Sequence, residues 1–154
     1  MRLYERIEGR KKKLRILGID YGDSRTGIAV SDPLGLTAQA ITVLTEKGDK
    51  KVIAKISEYM EEYDTKTLVV GLPKNMNGSL GERANLTLAF AEKLKKRLGA
   101  EVIMQDERLS SAFAHRTLEE MGVSGKKRTG KVDSIAAVFI LQGYLDAHRD
   151  GMKG

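Results

Sequence analysis

Asp20, Glu107 and Asp133 are the carboxylates whose settings suggest chemistry. Asp20 closes the apolar run LRILGID and opens the turn YGDSRTG. Glu107 follows the apolar stretch EVIMQ, and Asp133 comes just after the basic segment KKRTGK, at the head of a long apolar run. Carboxylates gathered from several elements make a site for a hard divalent cation such as Mg²⁺, which takes oxygen ligands. Lysines and arginines around such a site attract phosphate. A cation held beside phosphate points to phosphodiester chemistry.

Each candidate has a plainer reading. Asp106 and Glu107 are neighbours, so in a strand they point to opposite faces and only one can join the site; we take Glu107. An aspartate at a helix start is stabilised by the helix dipole, which would account for Asp133 without a metal. Arg108 either binds phosphate or pairs with a nearby acid. Asp23 and Asp32 suit turns and strand ends. His115 is expected on a helix surface and His148 in a frayed tail, so histidine chemistry is not expected.

The elements that must position these groups can be read from periodicity. Residues 14–20 read as a buried strand, 26–31 as a second after a Gly-, Asp- and Ser-rich turn, and 38–44 as a third; short connections imply an antiparallel meander. Val52, Ile53, Ile56, Tyr59, Met60 and Tyr63 form one helical stripe. TLVVGLP reads as a buried parallel strand ended by Pro73. Ser79 and Glu82 have capping-box spacing for a second helix, which Gly99 would close. A strand over 101–106, a short helix from Ser110 or Ser111 to about Gly122, a flexible loop GKKRTGK and a buried helix over 133–147 complete the order. Residues 1–13 are expected as a short strand or arm. The fold class is α/β, a mixed sheet flanked by helices.

Composition sets the outer limits. A chain of 154 residues fits one domain, 1–154, burying roughly 68–70% of the surface its unfolded form exposes. The absence of cysteine excludes structural disulfides and Cys-ligated zinc and suits an intracellular site. No run approaches the roughly 20 apolar residues of a bilayer span, and MRLYERIEGRKKK has no apolar core of a secretory signal. A cytoplasmic protein is expected.

The net charge of +6 is clustered. Arg10, Lys11, Lys12, Lys13 and Arg15 form one group, Lys93, Lys95, Lys96 and Arg97 a second, and Lys126, Lys127, Arg128 and Lys131 a third. The second reads as the exposed side of a helix. The third adjoins Asp133 and carries the case for nucleic acid. With Trp absent and aromatics scarce, a base-stacking platform is not expected.

GIDYGDSRTGIAVSD admits two functional readings, a phosphate-binding turn as in actin-like ATPases or the first metal-binding strand of an RNase H-like nuclease. Glycines at 22 and 27 let backbone turn tightly or approach a ligand. Actin-like ATPases enclose their nucleotide between two such domains, more than 154 residues supply. DYGDSRTGIAVSD, GLPKNMNGSLGERA, DERLSSAFA and GKVDSIAAVFILQGYL together resemble the YqgF/RuvX family, relatives of the Holliday junction resolvase RuvC, in order and spacing over residues 14–145.

That resemblance implies a five-stranded RNase H-like fold and a Mg²⁺- or Mn²⁺-dependent nuclease. It further implies processing of the 5′ end of precursor 16S rRNA, with DNA junctions as the competing substrate and ribosomal particles as possible company. Carried over by position, Asp20, Glu107 and Asp133 are the catalytic metal ligands. Beside them the sequence itself offers Lys74 and Asn75 on the loop GLPKNMNGS, which a plain Pro-, Asn- and Gly-built turn would equally explain, Arg108, and Lys126, Lys127, Arg128 and Lys131 of the basic segment as candidate substrate contacts. The chain departs from RuvC in having no second acid close after Asp133; the next is Asp146. A binding factor without catalysis, or an ATPase module, would be the other outcomes.

Overall fold

The computed structural model describes residues 4–7, 10–13, 15–107 and 125–148, with 4–7, 10–13 and 125–134 described as backbone only. Strands β1 (Tyr4–Ile7) and β2 (Arg10–Lys13) pair with each other as a separate two-stranded sheet. They are followed by β3 (Leu17–Tyr21), β4 (Thr26–Ser31), β5 (Ala38–Leu44), α1 (Asp49–Glu62), β6 (Thr67–Leu72), α2 (Glu82–Leu98), β7 (Glu101–Asp106) and α3 (Gly125–Ala147). The expected short helix after Ser110 falls outside the described residues.

The main sheet has the order β5-β4-β3-β6-β7. Tight turns make β3, β4 and β5 an antiparallel meander, whereas α1 and α2 return the chain so that β6 and β7 run parallel to β3. The fold is therefore the expected mixed α/β sheet.

Side-chain alternation divides the core in two. Leu17, Ile19, Ile28, Val30, Leu68 and Val70 face α1 and α2, meeting Ile53, Ile56, Phe90 and Leu94. Ile16, Ala29 and Val69 face α3, meeting Ala137, Ile140, Leu141, Tyr144 and Leu145. Glycine lets α3 come close: a Cβ on Gly18 would lie 2.7 Å from Leu141 Cβ and 3.1 Å from the Ala137 carbonyl oxygen.

Four local expectations are corrected. Residues 125–131 are not a loop but the opening turns of α3; Lys and Arg are good helix formers, and the flanking glycines only weaken a helix, by about 1 kcal/mol each. Asp133 therefore stands well inside α3 rather than in its first turn, so the helix dipole does not account for it. The Ser79–Glu82 capping box does not form. Gly81 is the N-cap, without a side-chain bond, because the Ser79 hydroxyl donates to Asn77 Oδ1 at 2.6 Å. His148 is not frayed: its ring stacks on Tyr144 with centroids 4.1 Å apart.

The end of α2 follows its sequence. Gly99 takes a left-handed conformation and its N–H bonds the Lys95 carbonyl. Lys95, Lys96 and Arg97 occupy the last turn, where cations complement the helix dipole. This accounts for one basic cluster without a ligand.

Gly18→Ala should destabilise the protein by about 1–3 kcal/mol, because the added methyl overlaps Leu141 and the α3 backbone. Urea unfolding with an unchanged stability would show that α3 does not seat on β3 at this point.

Candidate active site

The C-terminal ends of β3 and β7 bring two carboxylates to one face of the sheet. Asp20 follows Ile16 and Gly18 in the alternation and so lies on the α3 face. On β7, Asp106 pairs with Leu72 in the register, and the Glu107 N–H continues the ladder to the Leu72 carbonyl at 3.2 Å. One step of alternation sends Glu107 to the α3 face with Ile103, and Asp106 to the other, where Lys74 Nζ lies 3.9 Å from its Oδ2.

β6 separates the two acid-bearing strands, which stand roughly 10 Å apart. Gly71 of β6 is the residue between them. A Cβ there would collide with Glu107 Oε2 and with Ile140 of α3. The bare backbone at Gly71 lets the Glu107 side chain lie across β6, and a side-chain hydrogen bond links it to Asp20.

Burial pushes the Glu107 carboxyl above its ordinary 4.5, and the Asp106 charge adds to this; the bond to Asp20 and the positive charge of Arg83 act the other way. Arg83 was not singled out from sequence. It stands in the first turn of α2, where the helix dipole disfavours a cation. A cation in that position needs local partners, and this was the available signal. The guanidinium donates to the Tyr21 carbonyl at 2.7 Å and to Asp23 Oδ1 at 2.6 Å. It also lies 5.3 Å from the centre of the Tyr21 ring. Arg83 thus clamps the turn that leaves Asp20.

Tyr21 anchors the same strand end on the opposite face. Its ring stacks on Phe90 at 4.0 Å, and its hydroxyl donates to Asp49 Oδ1 at 2.6 Å, while Lys93 Nζ holds Asp49 Oδ2 at 2.8 Å. Burial and the Asp49 bond push the Tyr21 hydroxyl up to about 12. Burial alone would raise Asp49, but bonds from Lys93 and Tyr21 outweigh it and lower its pKa.

The loop after β6 is also ordered by its own side chains. Asn75 Nδ2 donates to Ser79 Oγ at 3.0 Å, the Gly78 N–H reaches the Asn75 carbonyl at 2.8 Å, and Met76 at the tip is 81% exposed. Lys74 and Asn75 therefore sit on a built turn next to the acid-bearing end of β7.

The backbone of α3 brings residue 133 toward Asp20. Gln142 accepts from the Ala38 N–H, and Ala38 pairs with Ser31, which bonds Ile16. Ala137 and Leu141 lie over Gly18. Residue numbers along α3 thus fall as β3 rises from 16 to 20. Four residues of helix from Ala137 to position 133 advance about 6 Å, matching the roughly 6.6 Å of strand from Gly18 to Asp20. The side chain of Asp133, those of Lys126, Lys127, Arg128 and Lys131, and all of Arg108 lie outside the described residues. Among the described residues no three metal-ligating side chains cluster, and no helix is long and apolar enough to cross a membrane.

The RuvX family, described as a Holliday junction resolvase, matches residues 14–147. A protein of Acetivibrio thermocellus named as a candidate pre-16S rRNA nuclease is 54% identical over 136 residues, 87% of this chain and 96% of its own length. A protein of Clostridium beijerinckii with the same name is 46% identical over 133 residues, 86% of this chain and 96% of its own. Among solved structures, RuvC of T. thermophilus in complex with a Holliday junction substrate superimposes with a TM-score of 0.55 at 16% identity, covering 90% of this chain and 97% of RuvC. That last likeness is one of fold.

Two expectations follow from the geometry. Because its folded pKa is raised, ionised Glu107 opposes folding: its contribution is most favourable below 4.5 and is lost as pH rises through the folded value. In EDTA, Glu107→Gln should therefore melt higher than the parent at pH 7.5, and the gap should narrow as pH falls towards 4.5. A gap independent of pH would contradict burial as the cause. Arg83→Lys should lose about 1–2 kcal/mol, since one ammonium cannot reproduce the two-pronged grip on Tyr21 and Asp23; unchanged thermal unfolding would contradict the clamp.

Proposed function

The chain belongs to the RuvX family, and we propose that it is a divalent-cation-dependent endonuclease that trims the 5′ end of precursor 16S rRNA. The observation that carries this reading is the Asp20–Glu107 pair, hydrogen-bonded on the α3 face over the bare backbone of Gly71. Two acids held this close on a partly buried surface form an oxygen-rich site whose charge a cation would relieve. The donor set is right in kind for Mg²⁺ or Mn²⁺.

Asp20 and Glu107, with Asp133 delivered by α3 at the level of Asp20, would hold the cation. When bound, it supplies Lewis-acid stabilisation to the phosphoryl oxygens undergoing displacement. The protein's own groups do the positioning. Arg83 and Tyr21 keep the end of β3 from moving, so the Asp20 carboxylate is presented in one place. Lys74 and Asn75 on the ordered loop, Arg108 just after Glu107, and Lys126, Lys127, Arg128 and Lys131 on the opening turns of α3 are the groups assigned to the substrate's phosphates and edges. The reading fits a single-domain cytoplasmic protein that meets its RNA on or near a ribosomal particle.

RNA is favoured because the relatives named for pre-16S rRNA are highly similar and nearly fully covered. A DNA four-way junction is the competing substrate, favoured by the family description and the RuvC-like fold.

Asp20→Asn keeps the shape and removes a charge that would hold the cation and repel phosphate. It should abolish cleavage of labelled precursor rRNA in Mg²⁺ while binding RNA as tightly as the parent or more tightly. Parent and variant, matched first for thermal unfolding, are assayed on precursor rRNA and on a four-way DNA junction in Mg²⁺, Mn²⁺ and EDTA. Equal cleavage by both proteins, or cleavage that survives EDTA, would remove the basis for the enzyme reading.

A further inference from the structure

The β1–β2 ribbon is unused by the site described above. It lies before the family's matched region, 14–147, and forms no strand pair with the five-stranded sheet. Its strands read YERI and RKKK. The register sets Tyr4 opposite Lys13, Glu5 opposite Lys12, Arg6 opposite Lys11 and Ile7 opposite Arg10. Directly opposed residues share a face and successive ones alternate. One face therefore carries Tyr4, Arg6, Lys11 and Lys13, with three positive charges and no acid; the other carries Glu5, Ile7, Arg10 and Lys12.

This pattern opposes the ribbon's own stability. A lone two-stranded sheet is marginal in water, and like charges directly opposite each other, as at Arg6 and Lys11, destabilise the pair. On the second face Glu5 stands opposite Lys12 in the register, whereas the first face has no acid at its register positions. A polyanion laid along that face would neutralise it. Three cations on neighbouring register positions span about 7 Å of strand, comparable to the spacing of successive phosphates on a nucleic-acid strand.

We propose that the Tyr4–Arg6–Lys11–Lys13 face of the β1–β2 ribbon is a second nucleic-acid contact, binding substrate RNA by its phosphate backbone apart from the acidic site. The assignment rests on the nucleic-acid reading of the catalytic face and adds an arm to it. Because the contact is to phosphate, it raises affinity for any RNA and does not select a sequence.

The test uses the full chain carrying Asp20→Asn, so that RNA is bound and not cut. Affinity for a fluorescein-labelled RNA stem-loop is measured across a KCl series for four proteins. These are the Asp20→Asn parent; Arg6→Gln/Lys11→Gln/Lys13→Gln; the charge-retaining Arg6→Lys/Lys11→Arg/Lys13→Arg; and Lys51→Gln/Lys66→Gln/Lys96→Gln, which removes equal charge from exposed positions of the core. Each neutralised phosphate contributes roughly 0.7–0.9 to the slope of log affinity against log salt. The ribbon triple Gln variant should therefore lose about 2–3 from that slope, while the charge-retaining variant and the core control stay near the parent. A parent slope kept by the ribbon variant, or matched losses in ribbon and core variants, overturns the proposal while leaving the nuclease reading intact. A parent that binds no RNA overturns both. Loss of binding to phosphatidylserine vesicles by the ribbon variant, with its RNA slope unchanged, would make the partner a lipid surface and overturn the proposal as well.

Discussion

Two carboxylates on one face of a sheet repel each other and resist burial, and much of this protein is arranged around holding such a pair. Asp20 and Glu107 come from strands separated by β6, and they meet only because Gly71 leaves β6 without a side chain at the crossing point. Any larger residue there would strike both Glu107 and Ile140, so the acid pair and the seating of α3 depend on the same missing methyl group. Gly18 performs a related service one strand away, admitting α3 to the sheet beneath Asp20.

The cost of the pair is met on the opposite face and at the strand end. Tyr21 is the residue after Asp20 and therefore points the other way, into a stack with Phe90 and a bond to Asp49. Holding Tyr21 holds Asp20, because the two share one stretch of backbone. Arg83 grips the next carbonyl and Asp23, and its charge partly offsets the field around Glu107. Burial nonetheless leaves the Glu107 carboxyl above its ordinary range.

α3 links this centre to the basic part of the chain. Its apolar segment, from Ala136 to Leu145, covers the sheet, and its opening turns extend the same rod through the basic residues. The backbone of residues 126–131 thus belongs to the same helix that covers the sheet. The ribbon β1–β2 carries its charge on a different element, outside the main sheet.

Much of the architecture was legible in the sequence, because strand alternation, helical stripes and glycine stops are local. The meander, the α1 and α2 stripes and the Gly99 cap follow from residues near one another in the chain. So does the choice of Glu107 over Asp106 for a given face, once the register of β7 is known. What remained hidden is non-local. The loop composition of GKKRTGK gave no sign that α3 begins at Gly125, since Lys and Arg suit helix and loop alike. Ser79 had the spacing of a cap, but Asn77 competes for its hydroxyl. Arg83 looked like an ordinary surface cation, because its partners lie about 60 residues away in sequence. The sequence by itself determined which elements form and which acids are available; only the tertiary structure decided which of them meet, because a glycine in one strand and an arginine on another element exert their effect through space and leave no periodic trace.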